Sequence, residues 1–524
     1  MYKCVVSTMV FVLAWAAPAL GGQGFLTIKD GRFVDAAGRQ VILHGINVGE
    51  KHKRNNYASW HSAGDFARMR QWGFNCVRLL LIWAAIEPEP GRYDEAYLRR
   101  IDQRIAWAKA NGLVVLLDMH QDLWGENVPG GDGAPGWATL DDGQPHLRAG
   151  QVWSDAYFSS RMIQTAFDNF WANRPGPDQV GIQDRFARMW QHVARRYADE
   201  PAVVGYDLFN EPFPGSPILL AQMLMGRHVV GLLRSDGSAA NLPKLTDMLA
   251  DPEVYRQIHE KFDDVGVYRS FLASAERVFK MFERNRLAPM YNRVARAIRQ
   301  VDTRHILFLE PCMYATGGFA SDLQPVVDAD GKRDPLQGLA PHAYDIGTEK
   351  PGIGSVNRPR MELIFGRLTD LGRRLGMPIL VGEWGAFRGE PYARDLARLT
   401  VSLFEQAFAG DTYWFFHKGI EKTPQFEMLQ RPFPSAVAGT LTHYRLDSAT
   451  GRFECVWTED PTITEPSRVY LPANWYPRGY GVTLEPAGTR YRADRIRSDR
   501  PDEYLIIPPT GHTAKRCLTV HPNP

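Results

Sequence analysis

The sequence predicts an α/β protein, a (β/α)8 TIM barrel followed by a C-terminal antiparallel β-sandwich domain. Three observations predict it. The middle of the chain alternates short, β-rich apolar runs with longer helical patterns, and eight such runs can be counted. Several of them are apolar throughout, as expected for strands covered by helices on both faces. After about Phe433 the pattern changes to short alternating segments set off by Pro, Gly and Asp clusters, which reads as a small sandwich. At 524 residues the chain has room for both, since a barrel takes roughly 250 residues or more.

Taken in order, residues 1–22 read as a secretory signal peptide. Lys3 gives a short positive start, residues 5–17 are apolar, and small residues follow at Ala17, Ala19, Gly21 and Gly22. This predicts a secreted protein, extracellular or, in a bacterium, periplasmic. The barrel is assigned to 23–432, with strands over 41–48, 75–83, 113–120, 203–210, 305–310, 338–344, 378–383 and 411–417. Helices are expected over 65–72, 95–111, 183–197, 270–301 and 358–375. No GxGxxG or phosphate loop follows any strand, which argues against a nucleotide-binding sheet. Two connections are oversized, 121–179 after the third strand and 213–267 after the fourth, both where barrels build active sites. The second opens on an apolar stretch, 217–233, which suits either a lipid-facing surface or a helix packed on the barrel. The sandwich is assigned to 433–524, with strands near 452–457, 468–471, 482–485 and 503–507.

Composition narrows the function classes. A hydrophobic fraction of 44% and a charged fraction of 23% are those of a globular protein. The net charge of +2 gives no sign of a nucleic-acid partner. Of the five cysteines, Cys4 falls in the leader. Cys76 and Cys312 sit in apolar runs as small hydrophobes, while Cys455 and Cys517 can staple the last domain if the chain is exported. The lack of a CxxC or Cys/His cluster argues against a structural zinc site, and no metal or organic cofactor is expected.

Polar residues that are costly in a core recur at the C-terminal ends of the expected strands. These are Arg78, Asp118 with His120, Asn210 with Glu211, His342 with Tyr344, Glu383, and Trp414 with His417. A barrel brings those ends to one face, where charges can be paired or solvated. A retaining glycosidase needs two carboxyls about 5 Å apart, one as nucleophile and one as acid/base. Glu211 and Glu383, on strands four and seven, fit that need. Arg78 and Tyr344 are available to keep a nucleophile ionised.

In that order, Arg78, His120, Asn210-Glu211, His342-x-Tyr344, Glu383 and Trp414 resemble glycoside hydrolase family 5, over roughly Phe25 to Lys418. The resemblance implies Glu211 as acid/base, Glu383 as nucleophile and Asn210 on the 2-hydroxyl of the sugar. It further implies that His342 and Tyr344 orient the glutamates and that Trp414 floors the sugar. Finer motifs are similar to the endoglycoceramidase subgroup. They are Asp118-Met-His-Gln-Asp122 with Trp124, Asp207-Leu-Phe-Asn-Glu-Pro-Phe-Pro-Gly215, Gly382-Glu-Trp-Gly385 and Arg431-Pro-Phe-Pro. That likeness implies a glycosphingolipid substrate, cleaved between oligosaccharide and ceramide, and transient contact with a lipid surface or micelle. By the same likeness Lys51 and Asp118 bind sugar. The alternatives are a family 5 enzyme acting on a polysaccharide, a simple or steryl β-glucosidase, and a lectin-like binding barrel.

Overall fold

The computed structural model describes residues 24–147, 152–235, 251–346, 348, 356–387, 390–497 and 500–524. The expected leader, 1–22, lies outside the described residues, as do 148–151 and 236–250 of the two oversized connections. Eight parallel strands form the barrel. They are β1 His44–Val48, β2 Cys76–Ile82, β3 Val114–His120, β4 Val203–Asp207 and β5 Ile306–Leu309. They continue as β6, in two parts (Gln337–Leu339 and His342–Ala343), β7 Leu380–Gly385 and β8 Gly410–Trp414. β8 returns to pair with β1, Asp411 opposite His44 and Tyr413 opposite Ile46. Strand six is broken because Pro341 has no N–H for the ladder. Its first part pairs with β5 and its second with β7, and a bridge from Leu339 to Ile379 closes the ring.

Period-2 alternation sorts each strand's side chains. Val77, Leu79, Val115 and Leu117 face the outer helices and join the main core. Cys76, Val114, Leu116, Val204, Ile306 and Phe308 point inward and fill the lower barrel, with Phe33 beneath them. The Phe33 and Phe308 rings are 5.7 Å apart. Two residues further along β2 and β3 the same inner face carries Arg78 and Asp118, so packing gives way to polar groups towards the strands' C-terminal ends.

The helices follow from apolar spacing and capping. Ile182–Tyr197 buries Phe186, Met189, Trp190, Val193 and Tyr197 at three- and four-residue intervals. The Asp94 carboxylate accepts the Ala96 and Tyr97 N–H groups at 2.8 and 3.0 Å and starts Glu95–Ala110. The single helix expected over 270–301 is instead two, Val265–Phe282 and Ala288–Arg299, joined by a π-helical turn at Glu283–Leu287. That turn swings the Glu283 carboxylate inward, where Cys312 N–H (2.8 Å), the Ser321 hydroxyl (2.9 Å) and Asp322 N–H (2.5 Å) donate to it. The apolar stretch after the fourth strand is the helix Ile218–Ser235.

The C-terminal strands form two antiparallel sheets. One four-stranded sheet runs Gly439–Leu446, Phe453–Glu459, Lys515–Pro522, Tyr480–Glu485. The other takes Phe433–Val437, Ser467–Leu471, Arg500–Ile507 and Arg492–Arg497, and adds three strands from the start of the chain, Thr27–Lys29, Arg32–Val34 and Gln40–Val41. The strand expected over 41–48 therefore divides, Val41 bonding the sandwich opposite Ala436 while His44–Val48 enters the barrel. Cys455 and Cys517 are free thiols and do not staple the domain. Cys455 stands opposite Leu518 and Cys517 opposite Val456, so a one-residue offset points the two thiols to opposite faces of the sheet.

Candidate active site

Arg78 organises the floor of the barrel mouth. It is fully buried. Its Nη1 donates to Glu383 Oε1 at 2.8 Å and its Nη2 to Asn210 Oδ1 at 2.8 Å. Its Nε donates to Asp207 Oδ2 at 3.0 Å, and Nη2 stands 3.0 Å from both Glu310 Oε1 and Asp118 Oδ1. A planar guanidinium with a rigid fork of donors can bridge five groups from the ends of four strands in this way; a lysine could not. Burial opposes its charge, but the carboxylates of Asp118, Asp207, Glu383 and Glu310 together raise its pKa well above the ordinary value.

Above Arg78 sit the two glutamates. Glu211 follows β4 in a left-handed backbone conformation (φ 47°), and its N–H donates to Glu310 Oε2 at 2.9 Å. This turn throws its carboxyl over the barrel axis. Glu383 lies on β7 with Oε2 accepting the Tyr344 hydroxyl at 3.0 Å. His342 Nδ1 stands 2.8 Å from Glu211 Oε1 and 3.5 Å from Glu383 Oε2, and its Nε2 is 3.3 Å from Glu310. Carboxylate oxygens of Glu211 and Glu383 approach within 4.8 Å of one another. Burial works against a charged His342, yet Glu310, Glu383 and the bond to Glu211 raise its pKa well above the usual imidazole range. Burial pushes the Glu383 carboxyl up, with His342, Arg78 and His120 pulling it back and Glu211 adding to the rise. Burial is the largest of these effects, so the net direction is upward although Arg78 and Tyr344 both donate to the carboxylate.

A second cluster flanks the glutamates. Lys51 Nζ contacts Asp122 and lies 3.9 Å from Asp132. It also stands 5.4 Å from the Trp414 ring centroid and 5.7 Å from that of Trp153. His120 stacks on Trp414 with centroids 5.2 Å apart and is held by Asp118 Oδ2 at 2.9 Å. Burial disfavours its charge, but Asp118 and Asp122 bring the His120 pKa up to about 10. Burial pushes Asp132 up to about 7, against the pull of Lys51.

These groups open into one continuous cavity of about 940 Å³ with two unlike ends. On the side of β8, β1 and β3 its wall carries Lys51, Asp122, Trp153 and Trp414. On the side of the β4, β5 and β6 loops it carries Met225, Val229, Ile258, Phe262, Phe271 and Phe319. The Ile218–Ser235 helix both packs inward and lines the cavity. Ile218, Ala221, Met225, Val229 and Leu233 are buried, while Leu219, Leu220 and Met223 are exposed. The stretch is thus a helix packed on the barrel, with an exposed apolar face on its outer side.

The residues named from sequence all come to this mouth. Lys51, His120, Asn210, Glu211, Tyr344, Glu383 and Trp414 line the cavity. Arg78, His342 and Asp118 lie buried beneath it. Asp118, expected on sugar, is corrected to an inner position: it is spent on Arg78 and His120. Sequence reasoning missed Glu310, which directly follows β5 at Glu310-Pro311 and touches both Arg78 and His342. A charge closing an apolar strand was its signal. Asp122 and Asp132 were missed as partners of Lys51 because their contact depends on loop folding, Asp122 and Asp132 exchanging backbone hydrogen bonds.

Among the described residues, three groups have ligand atoms close enough for a metal: His120, Asp122 and Asp132; Asp118, Asp207 and Glu310; and Glu211, His342 and Glu383. In the first Lys51 already supplies a cation, in the second Arg78 does, and in the third His342 is itself the cation. The donor sets are internally neutralised and poorly suited to a divalent ion.

A closed barrel with two carboxyls facing each other across its mouth, beside the cavity-lining Trp414, has the arrangement of a glycoside hydrolase. The chain belongs to glycoside hydrolase family 5: the family model for cellulase (glycosyl hydrolase family 5) matches residues 34–419, and that of the family 5 C-terminal domain matches 431–514. Among its relatives is the endoglycoceramidase of Cyanea nozakii, 26% identical, with 87% of this chain and 86% of that one covered. Endoglycoceramidase I of Rhodococcus hoagii is 25% identical, with 86% and 80% covered. The endo-glycoceramidase II of Rhodococcus sp., solved with ganglioside GM3, is 27% identical with a TM-score of 0.71 over 95% of this chain and all (100%) of that one.

Proposed function

We propose that the protein is a retaining endo-glycosidase that hydrolyses the β-glycosidic bond between oligosaccharide and ceramide in glycosphingolipids. The observation that carries this is the divided cavity, with charged and aromatic groups on one side of the glutamate pair and an apolar wall on the other. A polysaccharide hydrolase needs sugar-binding surface on both sides of the cut, and the β4–β6 side offers aliphatic and phenyl groups. The endoglycoceramidase names of the relatives agree with this reading.

The reaction is a double displacement. Glu383 attacks the anomeric carbon while Glu211 passes its proton to the departing ceramide oxygen. Water, deprotonated by Glu211, then releases the sugar with its β configuration kept. The approach of the carboxyls to within 4.8 Å favours this over inversion, which needs roughly 6.5–9.5 Å for an intervening water. Arg78 and Tyr344 donate to Glu383 and hold it in place for attack. Exposed Leu219, Leu220 and Met223, on the helix that lines the apolar end, support transient contact with a micelle or lipid surface. We extend the proposal to export, on the composition of residues 1–22.

The deciding assay incubates the protein with glycosphingolipids and looks for free ceramide and intact oligosaccharide. Release of single sugars only, or activity confined to alkyl or steryl glucosides, would overturn the endo reading. A first-formed α anomer would overturn retention.

A further inference from the structure

Glu211 needs support that its own strand does not give. Its left-handed backbone is costly for a residue with a side chain, and persists only where neighbours enforce it. Two buried side chains do so. Gln121 Nε2 donates to the carbonyls of Asn210 and Glu211 at 3.0 and 3.2 Å. On the amide, Glu310 Oε2 accepts the Glu211 N–H at 2.9 Å. Glu310 is itself fixed. Pro311 restricts its backbone to extended values. The Tyr291 hydroxyl donates to its carbonyl at 2.9 Å, and Arg78 Nη2 donates to its Oε1 at 3.0 Å. Asp118 and Asp207 bring carboxylate oxygens within 4.8 Å of its own.

The same carboxylate reaches Glu211 by a second route. Its Oε1 stands 3.3 Å from His342 Nε2, which has no other partner among the described residues. The opposite ring nitrogen, Nδ1, is 2.8 Å from Glu211 Oε1. One buried imidazole thus separates Glu310 from Glu211. Burial opposes a charge on this ring, and Glu310 is the first of the acids that overcome it, ahead of Glu383. A charged imidazole donates from both nitrogens. Its Nδ1–H then occupies Oε1 of Glu211, and the carboxyl proton is left to Oε2. A neutral ring that has lost Glu310 can carry its one proton on Nε2. Its Nδ1 then accepts the Glu211 proton sideways, away from the glycosidic oxygen.

We propose that Glu310 is a positioning residue for the acid/base, holding the Glu211 main chain and the His342 ring so that Glu211 keeps its proton on the oxygen that meets the departing group. This rests on the reading of Glu211 as acid/base and deepens it.

The test compares kcat/KM on two glycosides of one sugar, one with dinitrophenol as leaving group and one with a simple alcohol. The phenol departs without a proton and the alcohol needs one. A defect in the acid therefore lowers the alcohol to phenol ratio, whereas a general loss of structure leaves that ratio as it was. Glu211→Ala, measured alongside, is expected to lower the ratio by about a hundredfold or more. Glu310→Gln keeps an acceptor for the Glu211 amide but no charge for His342, and is expected to lower the ratio by about tenfold. Glu310→Asp is too short to keep both contacts. It is expected to lower the ratio by a few-fold, and it carries the test should Glu310→Gln fail to fold. An unchanged ratio in the folded Glu310 variants, with that of Glu211→Ala lowered, overturns the positioning role alone. An unchanged ratio in Glu211→Ala overturns the acid/base reading and the proposal with it. Neither substrate carries ceramide, so failure to release ceramide would count against the proposed lipid substrate only.

Discussion

Glu383 and Arg78 decide the chemistry residue by residue. On the proposed mechanism Glu383→Gln removes the attacking oxygen yet keeps an acceptor for Arg78 and Tyr344, so turnover should vanish while the circular dichroism spectrum stays native. Residual activity above about a thousandth of the starting rate would sink the nucleophile assignment. The raised pKa of Glu383 fixes the sign of the acid limb. A nucleophile works as carboxylate, so kcat/KM should fall as pH drops through a value above the ordinary carboxylate range. Tyr344→Phe removes a donor that favours the ionised form, and a pH–rate profile should show that limb displaced further upward. Arg78→Lys keeps the charge and loses the fork that reaches Glu383, Asn210, Asp207, Glu310 and Asp118. Breaking so buried a network should cost about 3–5 kcal/mol in denaturant unfolding.

Among the elements, the π-helical turn at Glu283–Leu287 has a consequence for the apolar end of the cavity. Glu283 bonds both ends of the segment from Cys312 to Asp322, whose Phe319 lines the apolar wall and whose Met313 N–H bonds Pro212 O, beside Glu211. Glu283→Ala leaves those buried donors unpaired, which should cost about 1–3 kcal/mol. Hydrogen exchange should show faster opening at the Cys312 and Asp322 amides, while the β2–β3 ladder stays protected. The helix Ile218–Ser235 offers a second check. Serine at Leu219, Leu220 and Met223 removes the exposed apolar face without touching buried Met225 or Val229. Cosedimentation with phospholipid vesicles should fall while hydrolysis of a water-soluble glycoside holds.

At the scale of the whole molecule, the barrel and sandwich are tied through a buried polar seam. Glu405, on the helix Ala393–Ala407, accepts Leu446 N–H of the sandwich at 3.1 Å. Nearby, Arg431 bonds Asp411 of β8 at 2.6 Å, and His44 of β1 stands 3.0 Å from the same carboxylate. Burial pushes Glu405 up to about 8, against the pull of Arg431. The folded protein thus keeps a proton that the unfolded chain releases near its ordinary value. Glu405's contribution to stability is fully present below that ordinary value and is lost as pH rises through about 8. Glu405→Gln, neutral at every pH, should melt higher than the parent at pH 9 relative to the difference at pH 5. An equal shift at both would refute the assignment.

The barrel was legible in the sequence because strands covered on both faces must be apolar throughout, and their charged C-terminal ends stand out against that background. Glu211, Glu383, Arg78 and His342 could be named on those grounds. The joining of the first strands to the sandwich, the break at Pro341 and the partners of Lys51 were not legible. Each depends on which distant segment supplies a missing hydrogen bond or charge, and no local periodicity records that. By itself the sequence determined a barrel with two glutamates at its mouth, since periodicity and residue type are local properties. Only the tertiary structure decided how near those glutamates stand, that Arg78 and His342 tie them to Glu310, and that a charged, aromatic wall and an apolar wall lie on opposite sides. Distance, burial and shared charge arise only when remote chain segments are packed together.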